Sequence, residues 1–262
     1  MASNIPVGLQ LYSVRQEWAK DPRATLAQVA AMGYAGVEFY GPPRHDADTL
    51  CALLDEFKLT CCGWHTPYAL LQDDTLFPSI AYHRALGNSR LIVPSLPADL
   101  RQTHADWLKA AEFFNRLADK LAPYGMVTGY HNHGVEFQPI DGQMPWYTLF
   151  DNTHDAVVMQ FDTGNALHGN QAVDPLEIIR RYPQRARTVH IKPFSKRIAQ
   201  TQGAEAALRP LFGEDDTDWP EFFRLCETVG GTQWYIVEYE SDGYPPMEAV
   251  ARGRESLRAL GV

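Results

Sequence analysis

Short apolar runs rich in β-branched residues alternate along the chain with longer segments of helical periodicity. The runs are eight in number and span residues 7–12, 36–40, 60–65, 90–94, 127–132, 157–162, 188–192 and 234–240. The helical segments between and after them are 22–32, 46–57, 75–86, 104–121, 145–150, 175–181, 219–229 and 246–260. Regular alternation of strands and helices predicts parallel strand pairing and an α/β fold. Because eight βα units occur in about 250 residues, we expect a (β/α)8 TIM barrel.

Local signals support these boundaries. Asp21 is placed to cap a helix that begins at Pro22, and Gly33 and Gly87 fit helix ends. No linker divides the chain, so a single domain over residues 1–262 is expected, with one long βα loop at about 193–218. An open, doubly wound sheet is the alternative. It would need a glycine-rich turn after the first strand, which residues 9–15 do not contain.

Polar residues occupy barrel-facing positions of several predicted strands. Side chains alternate across a strand, which splits each run into a helix-facing and a barrel-facing set. The barrel-facing set is Gly8, Gln10, Tyr12, Glu38, Tyr40, Gly63, His65, His131, His133, Gln160, Asp162, Thr188, His190, Lys192, Ile236, Glu238 and Glu240. Charged and imidazole groups inside a barrel are costly unless they are paired or bind a metal. Their presence at strand ends therefore indicates function.

A metal site is predicted from four of these residues, which come from strands five to eight. His131, Asp162, His190 and Glu238 supply two imidazoles and two carboxylates, a set that suits Mn, Co, Zn or Fe. Each residue alone has a simpler interpretation: a histidine can be structural, Asp162 can cap the next helix, and Glu238 can pair with Lys192. Their occurrence on four successive strands favours the metal.

The net charge and the lack of long apolar segments limit the classes of partner that this chain is expected to bind. The 23 basic and 32 acidic residues give a net charge of −9, which does not favour nucleic acid. Residues 1–11 lack a basic segment followed by an apolar stretch, and no run reaches the roughly 18 apolar residues of a membrane span. We therefore expect a cytoplasmic protein without nucleic-acid or membrane partners.

Six motifs together resemble those of a known superfamily. They are GLQLYS (8–13), GVEFYG (36–41), GYHNHGVEF (129–137), FDTGN (161–165), VHIK (189–192) and VEYE (237–240). Over essentially its whole length, the chain resembles the sugar-phosphate isomerase/epimerase superfamily of xylose isomerase-like TIM barrels, in the branch with a Tyr-His-Asn-His segment on strand five. This superfamily includes ketose 3-epimerases, inosose isomerases and dehydratases, and apurinic endonucleases.

The resemblance implies a single divalent metal, Mn, Co, Zn, Fe or Mg, as cofactor. Epimerases of this superfamily hold it with Glu, Asp, His and Glu, of which the last three correspond to Asp162, His190 and Glu238. Where those enzymes have a strand-five glutamate, this chain offers His131, His133 or Glu136. The separation of 31 residues between His131 and Asp162 fits the family spacing best, so His131 is the predicted ligand.

The resemblance also implies a reaction. We expect a metal-dependent isomerase or epimerase that acts on an unphosphorylated keto sugar or inosose through proton abstraction next to the ketone and a metal-stabilised enediolate. Glu238 would be the base, with Glu136 as a second group and Lys192 near the developing charge. Because the strand-five glutamate is missing, the alternative is a lyase or dehydratase that performs β-elimination with Glu238 as its one base. His65, His133, Lys192 and His168 are its candidate acids.

Substrate contacts are expected around the metal. The predicted substrate-binding residues are Glu38, His65, His133, Asn165 and His168, with Trp64, Tyr12 and Tyr68 as an apolar wall. The partner would be a small carbohydrate, and relatives of this kind often form homo-oligomers. Two further hypotheses are a non-catalytic sugar sensor and a phosphodiesterase similar to the apurinic endonucleases. The second needs three zinc ions and is opposed by the negative charge.

Overall fold

A computed structural model describes residues 3–262; Met1 and Ala2 of the predicted domain lie outside the described residues. Its strands are β1 (Val7–Gln10), β2 (Gly36–Tyr40), β3 (Thr60–His65), β4 (Arg90–Val93), β5 (Val127–His131), β6 (Val158–Asp162), β7 (Thr188–Ile191) and β8 (Trp234–Val237). Each strand pairs in parallel with the next, and β8 pairs with β1 to close the barrel. The prediction of a (β/α)8 barrel is confirmed, and the doubly wound alternative is wrong.

Helices surround the barrel. They are α1 (Arg15–Lys20), α2 (Pro22–Ala31), α3 (Ala47–Phe57), α4 (Leu76–Ala85), α5 (His104–Leu121), α6 (Pro145–Asp151), α7 (Thr163–Gly169), α8 (Pro175–Arg181), α9 (Lys196–Gln202), α10 (Trp219–Leu225) and α11 (Pro246–Ala259). The sequence did not predict α1, α7 and α9, which are six or seven residues long and lie outside the predicted helical segments, in the stretches that follow β1, β6 and β7. None of the helices in residues 3–262 has both the length and the apolar character needed to cross a membrane.

The predicted caps are present. Asp21 accepts a hydrogen bond from the backbone N–H of Ala24 at the start of α2. Gly33 and Gly87 have φ values of 85° and 75°, in the left-handed region that glycine adopts without steric cost. Asp218 caps α10 through the N–H of Glu221. The segment 193–218 between β7 and α10 holds α9 and a 3₁₀ turn, Ala206–Leu208.

The first strand is shorter than predicted, and this changes the position of Tyr12. The side chain of Gln10 accepts a hydrogen bond from the backbone N–H of Tyr12, and a 3₁₀ turn (Leu11–Val14) begins where β1 ends. Tyr12 therefore does not face the barrel interior; it is 37% exposed at the mouth. His133, Lys192, Glu238 and Glu240 likewise follow their strands instead of lying within them.

Trp64 belongs to the layer between the barrel and its helices. Its ring stacks on Phe39 with centroids 4.9 Å apart and meets His83 of α4 edge to face at 5.1 Å. Only 3% of its surface is exposed. The prediction that Trp64 lines the sugar pocket is therefore wrong. The alternation of β3 gives the reason, since His65 faces inward and the residue before it must face the helices.

The buried His83 makes stability depend on pH. Burial lowers the pKa of His83 from 6.5 to about 4, and its Nδ1 lies 3.1 Å from Asn88 Nδ2. The unfolded chain takes up this proton below pH 6.5 while the folded chain does not. The contribution of neutral His83 to the free energy of unfolding is therefore fully present above pH 6.5 and is lost as the pH falls toward 4. At pH 5 this loss is about 2 kcal/mol.

We expect His83→Gln to reduce that loss. In urea unfolding at pH 7 and pH 5, the free energy of unfolding of the variant should fall less than that of the wild type, by about 2 kcal/mol. The same substitution at the exposed His154 is the control. Equal pH dependence of wild type and His83→Gln would show that burial does not suppress protonation of His83.

Candidate functional site

Four predicted residues meet at the carboxyl-terminal end of the barrel. His131 ends β5, Asp162 ends β6, His190 lies in β7, and Glu238 follows β8. One donor atom from each lies within 4.8 Å of the other three, and all four side chains are buried. Consecutive strands of a closed barrel are neighbours, which explains why residues so far apart in sequence converge. We call these residues the four-residue cluster.

The two carboxylate oxygens of Asp162 make different contacts. Its Oδ1 accepts a hydrogen bond from the backbone N–H of Asn165, which caps α7. The backbone around it is fixed by Asn132, whose side chain accepts from the N–H of Asp162 and donates to its carbonyl. Its Oδ2 points into the cluster, 3.9 Å from His190 Nδ1 and 3.4 Å from Lys192 Nζ. The helix cap thus aims one free oxygen at the site.

The cluster fits a divalent cation. Asp162 Oδ2 and His131 Nδ1 are buried and have no hydrogen-bond partner, although buried polar atoms are normally satisfied. Two imidazoles and two carboxylates match the ligand preferences of Zn, Mn, Fe or Co. A second, overlapping group joins His65 to His131 and His190. These residues could therefore hold a metal ion.

His190 bridges two carboxylates. Its Nδ1 lies 2.7 Å from Glu238 Oε2 and its Nε2 lies 2.6 Å from Glu38 Oε2. Burial alone would lower the pKa of His190, but Glu38 and Glu238 outweigh it and raise this pKa to about 10. The ring is thus held from both sides, with Nδ1 facing the cluster. A cation bound at Nδ1 would take the place of the proton shared with Glu238, while Nε2 would keep its proton toward Glu38.

Glu38 lies beneath the cluster and not on its open side. It is completely buried and accepts hydrogen bonds from Gln10 Nε2 and Gln160 Nε2, each at 2.8 Å, in addition to its contact with His190. A Cβ at Gly63 would approach Glu38 Oε1 to 2.5 Å, so only glycine leaves room for this carboxylate. The expected contact of Glu38 with substrate is not supported, because substrate cannot reach it.

The charge of the cluster is balanced by Lys192. Its Nζ donates to Asn165 Oδ1 and Glu240 Oε2, each at 3.0 Å, and lies 3.5 Å from Glu238 Oε2. Burial favours the neutral amine, but Asp162, Glu238 and Glu240 outweigh it and raise the pKa of Lys192. It is therefore an ammonium group packed behind the carboxylates. Its stem passes Gly164, where a Cβ would come within 2.6 Å of Lys192 Cγ.

The protonation states of the other cluster residues have opposing causes. Burial raises the pKa of Glu238, but Lys192 and the hydrogen bond from His190 hold it well below its usual value. Burial raises the pKa of Asp162 despite the nearby Lys192 and His190. Burial, with His190 and His65 nearby, lowers the pKa of His131 well below 6.5. His131 is consequently neutral and has a lone pair to offer.

A cavity of about 540 Å³ opens beside the cluster. His131 and Glu238 form part of its wall, together with His65, His133 and Glu240. Asp162 and Lys192 lie behind this wall, with 0% and 3% of their side chains exposed. Glu238 is therefore the cluster carboxylate that faces the cavity.

Three predicted substrate or catalytic residues lie elsewhere. Glu136 is buried against the Tyr130 hydroxyl at 2.6 Å and the backbone N–H of His133 at 2.7 Å, so it fixes the turn after β5 and does not reach the cavity. His168 pairs with Glu205 at 3.0 Å, outside the cavity wall. Asn165 supports Lys192 and lies 3.5 Å from His131 Nε2, behind the wall.

Some residues that build the site have roles that the sequence does not indicate. Gln10 and Gln160 were predicted to face inward, yet nothing in the sequence indicated that both would donate to Glu38. Glu240 was also predicted inward and proves to be the partner of Lys192. Asn132, in the Tyr-His-Asn-His segment, ties β5 to β6. The alternation of side chains along a strand predicts that a residue faces inward, but it does not predict its hydrogen-bond partner.

With this geometry in place, comparisons identify the family. The family model described as xylose isomerase-like TIM barrel matches residues 26–260. The chain belongs to this family. The resemblance seen in the sequence is confirmed.

Individual relatives extend the comparison. An inosose dehydratase from Histophilus somni (strain 129Pt) is 26% identical over 90% of this chain and 88% of its own length. A sugar phosphate isomerase/epimerase from Parabacteroides distasonis ATCC 8503 shares the fold with a TM-score of 0.81 at 24% identity, covering 98% of this chain and 94% of that one. The IOLI protein with a binding zinc atom has a TM-score of 0.71 at 13% identity, covering 98% of both chains.

We expect calorimetric titration with Mn²⁺ or Zn²⁺ to give about one ion per chain. Asp162→Asn should weaken binding at least tenfold, because it removes a charged donor. Glu38→Gln leaves all four donors in place and should weaken binding by about 10 to 100-fold, because it loosens His190. His168→Ala, outside the cluster, is the control. Unchanged affinity in both Asp162→Asn and Glu38→Gln would show that the cluster is not the metal site.

Proposed function

We propose that the protein is a divalent-metal-dependent lyase that removes the proton next to the ketone of an unphosphorylated keto sugar or inosose and then eliminates the group at the β position. The observation that carries the proposal is the placement of Glu238. It is the cluster carboxylate on the cavity wall, whereas Asp162 is behind the wall and Glu136 is committed to Tyr130. Glu240, the other carboxylate on the wall, lies outside the four-residue cluster and pairs with Lys192. One cavity-facing carboxylate among the metal-binding residues suits elimination better than a two-base epimerisation.

The cluster residues would divide binding and proton transfer. His131, Asp162, His190 and Glu238 would hold the cation, which would polarise the substrate carbonyl and make the adjacent C–H bond more acidic. Glu238 would accept that proton, since the ammonium group of Lys192, 3.5 Å from its Oε2, favours the ionised carboxylate. Lys192 itself would not donate a proton, because the surrounding carboxylates hold it as an ammonium. It would instead limit the repulsion among those carboxylates.

The leaving oxygen requires a proton donor, and two histidines are placed for this. His65 and His133 both line the cavity. The His65 Nε2 is engaged by Gln160 Oε1 at 2.7 Å, while His133 is exposed. His133 is therefore the better candidate for the acid.

The lining of the cavity favours a substrate without phosphate. Its wall residues among the described part of the chain include no lysine and no arginine. Phosphate groups are usually bound by such cations or by helix N-termini. A neutral sugar or cyclitol matches this wall better.

An isomerase or epimerase is the second candidate. His65 and His133 share the cavity with Glu238, and either could return a proton to the carbon from which Glu238 removes it. An endonuclease-like reaction is less well supported. The two metal-binding groups found in residues 3–262 share His131 and His190, an arrangement that suits one ion and not three.

The product separates the two candidates. We expect metal-loaded protein incubated with 3-keto sugars and inososes to form an enone, seen as new ultraviolet absorbance and as the mass loss of water or an alcohol. Product of unchanged mass would contradict elimination and support isomerisation.

Glu238→Gln tests the base. At saturating metal it should lower kcat/KM by about a thousandfold or more, roughly 4 kcal/mol of transition-state stabilisation. Glu240→Gln, the same change two residues further on, should cost less than about tenfold, because Glu240 pairs with Lys192 at the edge of the cluster. Full activity of Glu238→Gln with bound metal would exclude Glu238 as the base.

A further inference from the structure

The cavity beside the cluster has two unlike walls. The wall from β5 to β8 carries His131, His133, Glu238 and Glu240. His65, at the end of β3, lies against His131 with ring centroids 4.6 Å apart. The opposite wall comes from the ends of β1 to β4 and presents Tyr12, Tyr40, Pro67, Tyr68, Pro94 and Leu96. We call this second surface the aromatic wall. It includes no lysine, arginine, aspartate or glutamate among the described lining residues.

The cavity is larger than a single sugar ring requires. Its volume of about 540 Å³ corresponds to roughly 18 water molecules at about 30 Å³ each. A hexose has only about twelve non-hydrogen atoms, and it must sit against Glu238 for its proton to be removed. The space along the aromatic wall would then remain for another part of the substrate.

The chemistry of the aromatic wall favours a flat, apolar group there. Tyr12 and Tyr40 meet edge to face with centroids 5.0 Å apart, and Tyr68 rests on Phe113 at 4.7 Å. Apart from tyrosine hydroxyls and Ser95, this wall offers few side-chain hydrogen-bonding groups. A second sugar ring would find few side-chain partners for its hydroxyls on this wall, whereas an aromatic ring needs none and gains ring contacts.

We propose that the aromatic wall is a leaving-group subsite, and that the substrate is a keto glycoside whose sugar is joined through oxygen to an aryl or benzyl-type group. This inference rests on the proposed lyase function and names the class of its substrate. The C–H bond next to the ketone breaks and its electron pair forms a C=C bond. The C–O bond to the leaving group breaks in turn, and the leaving oxygen takes a proton to give an alcohol or phenol. The products are an enone and that alcohol, so no oxidant or reductant is needed.

The test compares benzyl and methyl 3-keto-glucopyranosides. Their leaving alcohols have similar acidity, so a difference in rate reports binding and not leaving-group chemistry. With metal-loaded wild type we expect kcat/KM to be at least tenfold higher for the benzyl glycoside, mainly through a lower KM. In Tyr12→Ala and in Tyr68→Ala this ratio should fall toward one. Phe77→Ala, which removes a 67% exposed aromatic ring outside the cavity, should keep the wild-type ratio.

Binding without reaction separates this inference from the proposed function. Benzyl and methyl glucosides that carry a 3-hydroxyl in place of the ketone cannot be eliminated, and calorimetry measures their affinity directly. Tighter binding of the benzyl glucoside that is lost in Tyr68→Ala supports the subsite. This holds even if neither keto glycoside reacts. Absence of reaction with both keto glycosides would contradict only the lyase function. Equal affinity for both overturns the subsite, and rapid turnover of both would then leave the lyase standing. Tighter binding of a disaccharide than of benzyl glucoside also overturns it.

Discussion

The bridge that His190 makes between Glu38 and Glu238 is the interaction on which the site depends. Three ionisable groups are buried together there, and none could remain charged without the others. The bridge fixes the ring so that one nitrogen faces a fully buried carboxylate and the other faces the cluster. Glu38 is itself held by Gln10 and Gln160, so the order of the site extends into the barrel interior. This is the arrangement in which an outer carboxylate orients a metal-binding histidine.

The barrel makes such a cluster possible because residues at the strand ends both stabilise the fold and supply side chains to the site. Asp162 shows this directly: one oxygen begins α7, and the other has no partner and faces the cluster. Lys192 is buried at the same end and offsets the negative charge of three carboxylates. The opposite half of the mouth carries tyrosines, proline and leucine instead of charges. Charge and apolar surface are thus separated across one cavity.

Much of this architecture could be predicted from the sequence. The alternation of runs gave the barrel, and period-two alternation gave the direction of His131, Asp162 and His190. Alternation does not indicate how deeply a side chain is buried or which residue it hydrogen-bonds. Glu38 and His65 have the same predicted direction, yet Glu38 is sealed by three hydrogen bonds while His65 reaches the cavity. Glu136 follows its strand by several residues, and only the folded turn shows that Tyr130 captures it.

We expect these four strand ends to form one metal-binding centre around an accessible carboxylate. Anomalous diffraction from crystals grown with Mn²⁺ or Zn²⁺ tests it most directly. One strong peak is expected within coordinating distance, about 2.0 to 2.3 Å, of His131, Asp162, His190 and Glu238. A peak held by His65, His131 and His190 without either carboxylate, or no peak at the cluster under saturating metal, would contradict it.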